Sequence, residues 1–149
     1  MSDSPKSGHA MLDSQLCFAV HSAAHAFTQA YKPLLTRLGL TYPQYLVMLL
    51  LWERDDRSVG ELSEPLFLDS GTLSPLLKRL QAAGYVTRAP DPRDERVTRV
   101  ALTAQGAALR DEARGIPKAI LRASGLEIDQ LIALRDSIRR LGQSLRAAN

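Results

Sequence analysis

Cys17 is the single cysteine of the chain, and its place in the sequence gives it a chemistry. Ser14 reads as a helix N-cap, which puts Cys17 in the first helical turn. There, unpaired amides and the helix dipole favour a thiolate. Only the thiolate attacks a peroxide, giving a sulfenic acid. The plainer reading is a small apolar residue packed in a core, the commonest fate of a lone cysteine. His21 and His25 follow at steps of four, so Cys17, His21 and His25 share one helical face and raise the question of a metal. On a straight helix the outer pair stands about 12 Å apart, too far to share one ion without ligands from a second chain. One cysteine also excludes an internal disulfide framework and a multi-cysteine zinc site within one chain.

A second group of residues points to nucleic acid. Ser70, Thr72 and Ser74 are short hydrogen-bonding side chains at the start of an apolar periodic stretch, and Lys78 and Arg79 stand about two turns further on. A helix entering a major groove meets base edges with its N-terminal residues, while later cations reach phosphates or a guanine edge. A capping cluster followed by a solvated face is the plainer alternative. Further along, Arg96 suits a narrow minor groove, whose negative potential attracts guanidinium. Arg93 stands among Asp91, Asp94 and Asp69, so the expectation for Arg93, with Asp69 and Asp91, is an ion pair bracing this segment.

These residues sit in a chain of 149 residues and 16.4 kDa, about one domain's worth. Hydrophobic residues make up 45% and charged residues 23%, a balance that excludes wholesale disorder. The longest apolar run, residues 45–52, is far too short to cross a bilayer. Residues 1–10 carry no apolar stretch of signal-peptide type, so the expectation is a soluble cytoplasmic protein with no membrane partner. The net charge is only +3, but it is unevenly placed. Between Lys78 and Arg99 there are six basic residues against three acidic ones, whereas residues 1–53 balance three against three.

The elements that must position these groups can be read from caps and periodicity. Leu16, Val20, Ala23, Ala24 and Phe27 recur at helical spacing, predicting a first helix to about Leu38, kinked or broken at Lys32-Pro33 and stopped by Gly39. Thr41 with Gln44 forms a capping box ahead of the apolar run 45–52, read as a buried helix. Residues 54–57 read as a polar turn. Ser58 with Glu61 opens a short helix over 59–66, and a tight turn at 67–69 leads to a helix capped by Asp69 or Ser70. That helix is apolar at Leu73, Leu76, Leu77 and Leu80, carries an irregular start at Pro75, and ends at Gly84. Two β-rich runs, 85–89 and 97–102, flank a charged tip. Thr103 begins a long helix through about Ala123, bent near Gly115-Ile116-Pro117, and Ser124 with Glu127 caps the last one. There Leu131, Leu134, Ile138, Leu141 and Leu145 recur at alternating steps of three and four. Packing on the chain's own first helix would cover this seam. The expectation here is a homodimer built from the terminal helices.

The predicted fold is mainly α with a small β-hairpin, a winged helix-turn-helix with a terminal-helix dimerisation domain. Residues 1–12 are expected as a flexible tail, 13–40 and 103–149 as dimerisation helices, and 41–102 as the DNA-binding region. Asp91-x-Arg93-x-x-Arg96, followed by Leu102-Thr103-Ala104-Gln105-Gly106, resembles the signature of the MarR family of dimeric transcriptional regulators. Leu16-Cys17-Phe18-Ala19, Tyr31-Lys32-Pro33-Leu34-Leu35, Leu40-Thr41-Tyr42-Pro43-Gln44-Tyr45 and the segment from Leu68-Asp69-Ser70-Gly71 to Leu80 resemble its organic-hydroperoxide-sensing branch. The resemblance implies a repressor that leaves an inverted-repeat operator in double-stranded DNA when Cys17 is oxidised, with no cofactor or resident metal and no enzymatic activity. It makes Tyr31 and Tyr42 hydrogen-bond donors to the thiolate from the partner subunit. Where the branch often has a third tyrosine, one turn after the cysteine, this chain has His21, whose imidazolium also favours a thiolate. With no second cysteine, oxidation is expected to end in a mixed disulfide with a small thiol or in over-oxidised acids. The competing readings are a MarR-type regulator switched by a phenolic ligand, or by a metal, at the dimer interface, and a thiol peroxidase. The last lacks a resolving cysteine.

Overall fold

A computed structural model describes residues 10–149. The expected tail lies outside the described residues up to residue 9. From Ala10 the chain is already helical, as α1 (Ala10–Asp13). Two compact units follow one another, divided between Ala113 and Arg114.

The first unit holds α1, α2 (Leu16–Thr36), α3 (Tyr42–Glu53), β1 (Arg57–Ser58), α4 (Val59–Leu66), α5 (Ser70–Ala82), β2 (Val86–Pro90), β3 (Thr98–Leu102) and α6 (Ala104–Ala113). Local caps set most of these boundaries. Thr41 and Gln44 close one reciprocal capping box at α3, and Ser58 and Glu61 another at α4, each satisfying amides that a helix start leaves unpaired. The run 45–52 is helical, as expected, and buried on one side: Leu49 is exposed, whereas Tyr45, Val47, Met48, Leu51 and Trp52 are shielded from solvent. With Leu35, Leu62, Leu73, Leu77, Leu80, Val86 and Val100 they make the core of this unit. Trp52 donates from Nε1 to the Gly106 carbonyl at 2.9 Å. Gly106 lies so close to the residue before strand β2 that a Cβ there would stand 2.0 Å from the Tyr85 carbonyl oxygen, so only glycine fits.

The sheet is antiparallel in the order β1-β3-β2, with Arg57 opposite Val100 and Val86 opposite Leu102. Strand β1 was expected as part of a polar turn. Two residues carry no readable alternation, and their pairing depends on β3, some forty residues away. Helix α2 runs through Pro33 without a break. The proline falls one turn from the helix end, where few ladder bonds remain to lose, and buried Leu35 holds the last turn in place.

The second unit comprises α7 (Ile116–Ser124) and α8 (Ile128–Ala147). The long helix expected from Thr103 is therefore two. Pro117 has no amide for the Ala113 carbonyl, so the ladder stops and restarts after Gly115. The last cap also shifts. Gly125 turns left-handed at φ 70, and Glu127 with Gln130, rather than Ser124 with Glu127, forms the capping box. Ser124 is used locally, donating to the Leu121 carbonyl and accepting from the Leu126 amide. Helix α8 buries none of its residues within the chain, and Leu134, Ile138 and Leu145 are 51%, 47% and 60% exposed. No helix among the described residues is long and apolar enough to cross a membrane.

Candidate nucleic-acid interface and thiol site

Helices α4 and α5 meet through a tight turn in which Phe67 adopts a left-handed backbone, φ 54. Asp69 caps α5 by accepting the Thr72 amide at 2.7 Å, and that bond holds its carboxyl below the usual carboxylate range. Asp69 thus starts the helix rather than supporting the wing, a correction to the sequence expectation. Helix α5 presents its polar residues on two sides. Ser70 and Ser74 line a groove of about 420 Å³ together with Ser58, Arg88, Arg96 and Thr98. Thr72 and Arg79 line a second groove of about 240 Å³ with Thr41, Pro43 and Gln44 from the start of α3. Lys78 is exposed and lines neither. A ridge of short polar groups between a wing and a neighbouring helix is what a major groove accepts.

The wing loop is built from turns. The Asp91 amide donates to the Val97 carbonyl at 2.8 Å, and the Val97 amide donates back to the Asp94 carbonyl at 2.9 Å. Arg96 projects from it with its side chain 90% exposed. Its Nε and Nη2 donate to the two carboxylate oxygens of Asp94 at 3.0 and 3.1 Å, which holds that carboxyl below its usual range. A guanidinium has five donors, so the remaining edge stays available to an acceptor. The bracing ion pair expected of Arg93 is absent among the described residues. Asp94 is taken by Arg96, Asp69 by its helix, and Arg93 engages Asp91 only through its backbone amide, at 2.7 Å. Asp91 does support the wing, but through Arg99, whose Nη1 lies 3.8 Å from its carboxylate. Two arginines escaped the sequence reading: Arg88, which lines the first groove, and Arg99, which pairs with Asp56, Glu61 and Asp91. Arg88 and Arg99 sit in β-rich runs, where a cation is a weak signal until the register shows what it faces. Arg88 is held by Gln81 of α5 at 2.7 Å.

Removing the Arg96 charge tests the wing directly. Arg96→Ala is expected to weaken DNA binding and to flatten its salt dependence by about one counterion per subunit, measured as log Kd against log salt. An unchanged slope and affinity would remove the wing from the interface.

Cys17 is exposed in the first turn of α2, so it is not the buried apolar residue of the plainer reading. The N-cap is Gln15, without a side-chain bond; Ser14 instead donates its hydroxyl to the Met11 carbonyl. Among the described residues, no side chain at the N-cap position is bonded to the amides of the first turn. His21 follows one turn on, also exposed. Cys17, His21 and His25 form no cluster able to hold a metal ion among the described residues. Tyr31 and Tyr42 do come together, with ring centroids 4.9 Å apart, and Tyr45 stands 5.8 Å from Tyr31. Burial, with Tyr42 and Tyr45 adding to it, pushes the Tyr31 hydroxyl up to about 12, and burial raises Tyr42 as well. Both hydroxyls therefore keep their protons and can donate. Within one chain the two groups are separate. Cys17 and Tyr31 are 14 residues apart on α2, about 21 Å along the axis of a helix rising 1.5 Å per residue.

A helix-turn-helix followed by a basic antiparallel wing defines the class: this is a winged-helix protein built for duplex DNA. Residues 29–113 match the family described as transcriptional regulator SarA/Rot. The organic hydroperoxide resistance transcriptional regulator of Bacillus subtilis is 42% identical over 97% of this chain and 98% of its own length. The HTH-type transcriptional regulator TtmR of Methylorubrum extorquens is 49% identical over 97% of this chain and 72% of its own. Among solved structures, reduced AbfR bound to DNA superposes with a TM-score of 0.80 at 32% identity, covering 95% of this chain and 97% of that one. AbfR in its disulfide form, at the same identity, gives 0.62, covering 89% and 93%. The chain belongs to the MarR/SarA family of winged-helix transcriptional regulators, alongside the organic-hydroperoxide-resistance regulators.

Proposed function

We propose that the protein is a homodimeric, cytoplasmic repressor that binds an inverted repeat in duplex DNA and releases it when an organic hydroperoxide oxidises Cys17. The observation that carries this reading is an exposed cysteine in the first turn of α2 and, fourteen residues along the same helix, Tyr31 clustered with Tyr42 of α3 as protonated donors. A chain's own Tyr31 stands too far along α2 to reach its Cys17, which is consistent with the family resemblance, in which Tyr31 and Tyr42 of the partner subunit donate to the thiolate. The sensor is completed by dimerisation, for which the helices of 13–40 and 103–149 are proposed. The seam of Leu131, Leu134, Ile138, Leu141 and Leu145, exposed at Leu134, Ile138 and Leu145, then finds its cover in a second copy. Ser70, Thr72, Ser74, Lys78 and Arg79 are assigned to the major groove, and Arg96 to the minor groove.

The thiolate sulfur attacks the terminal peroxide oxygen. An S–O bond forms, the O–O bond breaks, and the alcohol leaves with the proton, so sulfur is oxidised as the peroxide is reduced. A small thiol then displaces water from the sulfenic acid, giving a mixed disulfide. AbfR in its overoxidised form is still bound to DNA, which supports the mixed disulfide, rather than an over-oxidised acid, as the releasing state here. The test is a gel shift on an AT-rich inverted repeat with organic hydroperoxide plus a small thiol, then with reductant. Release and recovery are expected, and retention of DNA throughout would overturn the redox switch.

Base reading by α5 has its own test. Thr72→Ala or Arg79→Ala is expected to change preference among operator bases by about 1–3 kcal/mol per contact. Equal weakening on every sequence would make these residues phosphate anchors.

A further inference from the structure

Arg99 is none of the groups assigned above to DNA, yet its guanidinium ties together three separate segments of the chain. From β3, Nε donates to Oδ1 of Asp56 at 3.1 Å and Nη2 to the Asp56 carbonyl at 2.6 Å. Nη1 lies 3.4 Å from Oε1 of Glu61 and 3.8 Å from Oδ2 of Asp91. Asp56 holds the turn before β1 in a left-handed backbone, φ 57. Glu61 completes the capping box that starts α4. Asp91 begins the wing loop, and its other carboxylate oxygen accepts the Arg93 amide. One side chain, 28% exposed, therefore connects the base of the wing to the first helix of the helix-turn-helix.

The wing needs such a tie. A two-stranded hairpin is marginal alone, and β1 adds only two paired residues to it. Without the guanidinium, Asp56 and Asp91 would face each other as like charges beside Glu61, whose only remaining cation is Arg54 among the described residues, and the wing base would be pushed away from α4. We propose that Arg99 is the positioning residue of the wing, setting the hairpin at the angle where Arg96 meets the minor groove while α5 lies in the major groove. This inference rests on the DNA-binding reading above and adds to it a residue that acts through Arg96 without touching DNA.

A double-mutant cycle separates this from a direct contact and from a purely structural role. The full-length reduced protein is titrated with a duplex carrying the inverted repeat that the parent selects from a random-sequence pool. Arg99→Gln is expected to weaken binding about tenfold in the parent background and less than about twofold when Arg96→Ala is already present, because both changes remove the same contact. Equal losses in both backgrounds would mean that Arg99 touches the phosphates itself or acts elsewhere, and no loss in the parent would mean that the wing needs no tie. Either result overturns the inference. Asp91→Asn removes only the wing arm of the network, and it keeps the cycle decisive should Arg99→Gln fail to fold. It is expected to reproduce the loss and its dependence on Arg96, and a loss independent of Arg96 again overturns the inference. If Arg96→Ala alone leaves affinity and salt slope unchanged, the minor-groove assignment itself has failed, and the inference with it.

Discussion

The reduced Cys17→Ser protein is expected to bind operator DNA within about twofold of the parent, and to stay bound at a hydroperoxide dose that lowers the parent's affinity more than about tenfold, a change of roughly 1.4 kcal/mol. Serine keeps the size of the side chain and can still accept hydrogen bonds from a partner's tyrosines. The first turn of α2 is otherwise unaltered, because no side-chain cap depends on residue 17. The hydroxyl neither ionises near neutral pH nor forms a sulfenic acid, so the switch lacks its first step. In the parent, a mixed disulfide inserts bulk where the tyrosines would meet the thiolate. Tyr42 is the first residue of α3, and Thr41, Pro43 and Gln44 around it line the groove beside Thr72 and Arg79 of α5. A displaced Tyr42 is thus passed to the recognition helix through one helical turn, and two recognition helices in a dimer lose their matched spacing. Tyr42→Phe should keep DNA binding while peroxide sensitivity falls. Release of DNA by the Cys17→Ser protein at the parent's dose, read by gel shift, would show that the signal does not enter through the thiol.

Leu134→Glu with Ile138→Glu is expected to convert the protein to a monomer and to lower operator affinity by at least about a hundredfold. Burying an unpaired carboxylate costs several kcal/mol, and twofold symmetry applies that cost twice for each substitution. Both positions are about half exposed within one chain, so the monomer itself should keep its helical content. A monomer offers one recognition helix and one wing, half the phosphate contacts of a dimer, and loses the thiol–tyrosine pairing across subunits. Sedimentation and DNA titration of the same sample check both halves of the result. A folded monomer with parental affinity would overturn the dimeric site.

The boundaries of the DNA-binding elements were legible in the sequence because they rest on contacts within three or four residues. Thr41 with Gln44, Ser58 with Glu61, and Asp69 with Thr72 each satisfy helix amides locally, and most of the apolar run 45–52 is buried because it has few other places to go. Where two local signals competed, sequence reasoning erred by a turn: Gly125 moved the last cap from Ser124 to Glu127, and Pro117 made two helices of one. The tertiary structure alone decided which arginine does what. Arg93, Arg96 and Arg99 are three cations within seven residues, alike in composition. Arg96 takes the carboxylate two residues before it, whereas Arg99 takes partners at Asp56 and Glu61, 43 and 38 residues away. Those partners reach Arg99 because β1 pairs with β3 and places the start of α4 beside it. The same is true of the sensor. The sequence names Cys17, Tyr31 and Tyr42, but the rise of the helix between residues 17 and 31, with Tyr42 packed against Tyr31, sets the cysteine and the tyrosines too far apart to meet within one chain.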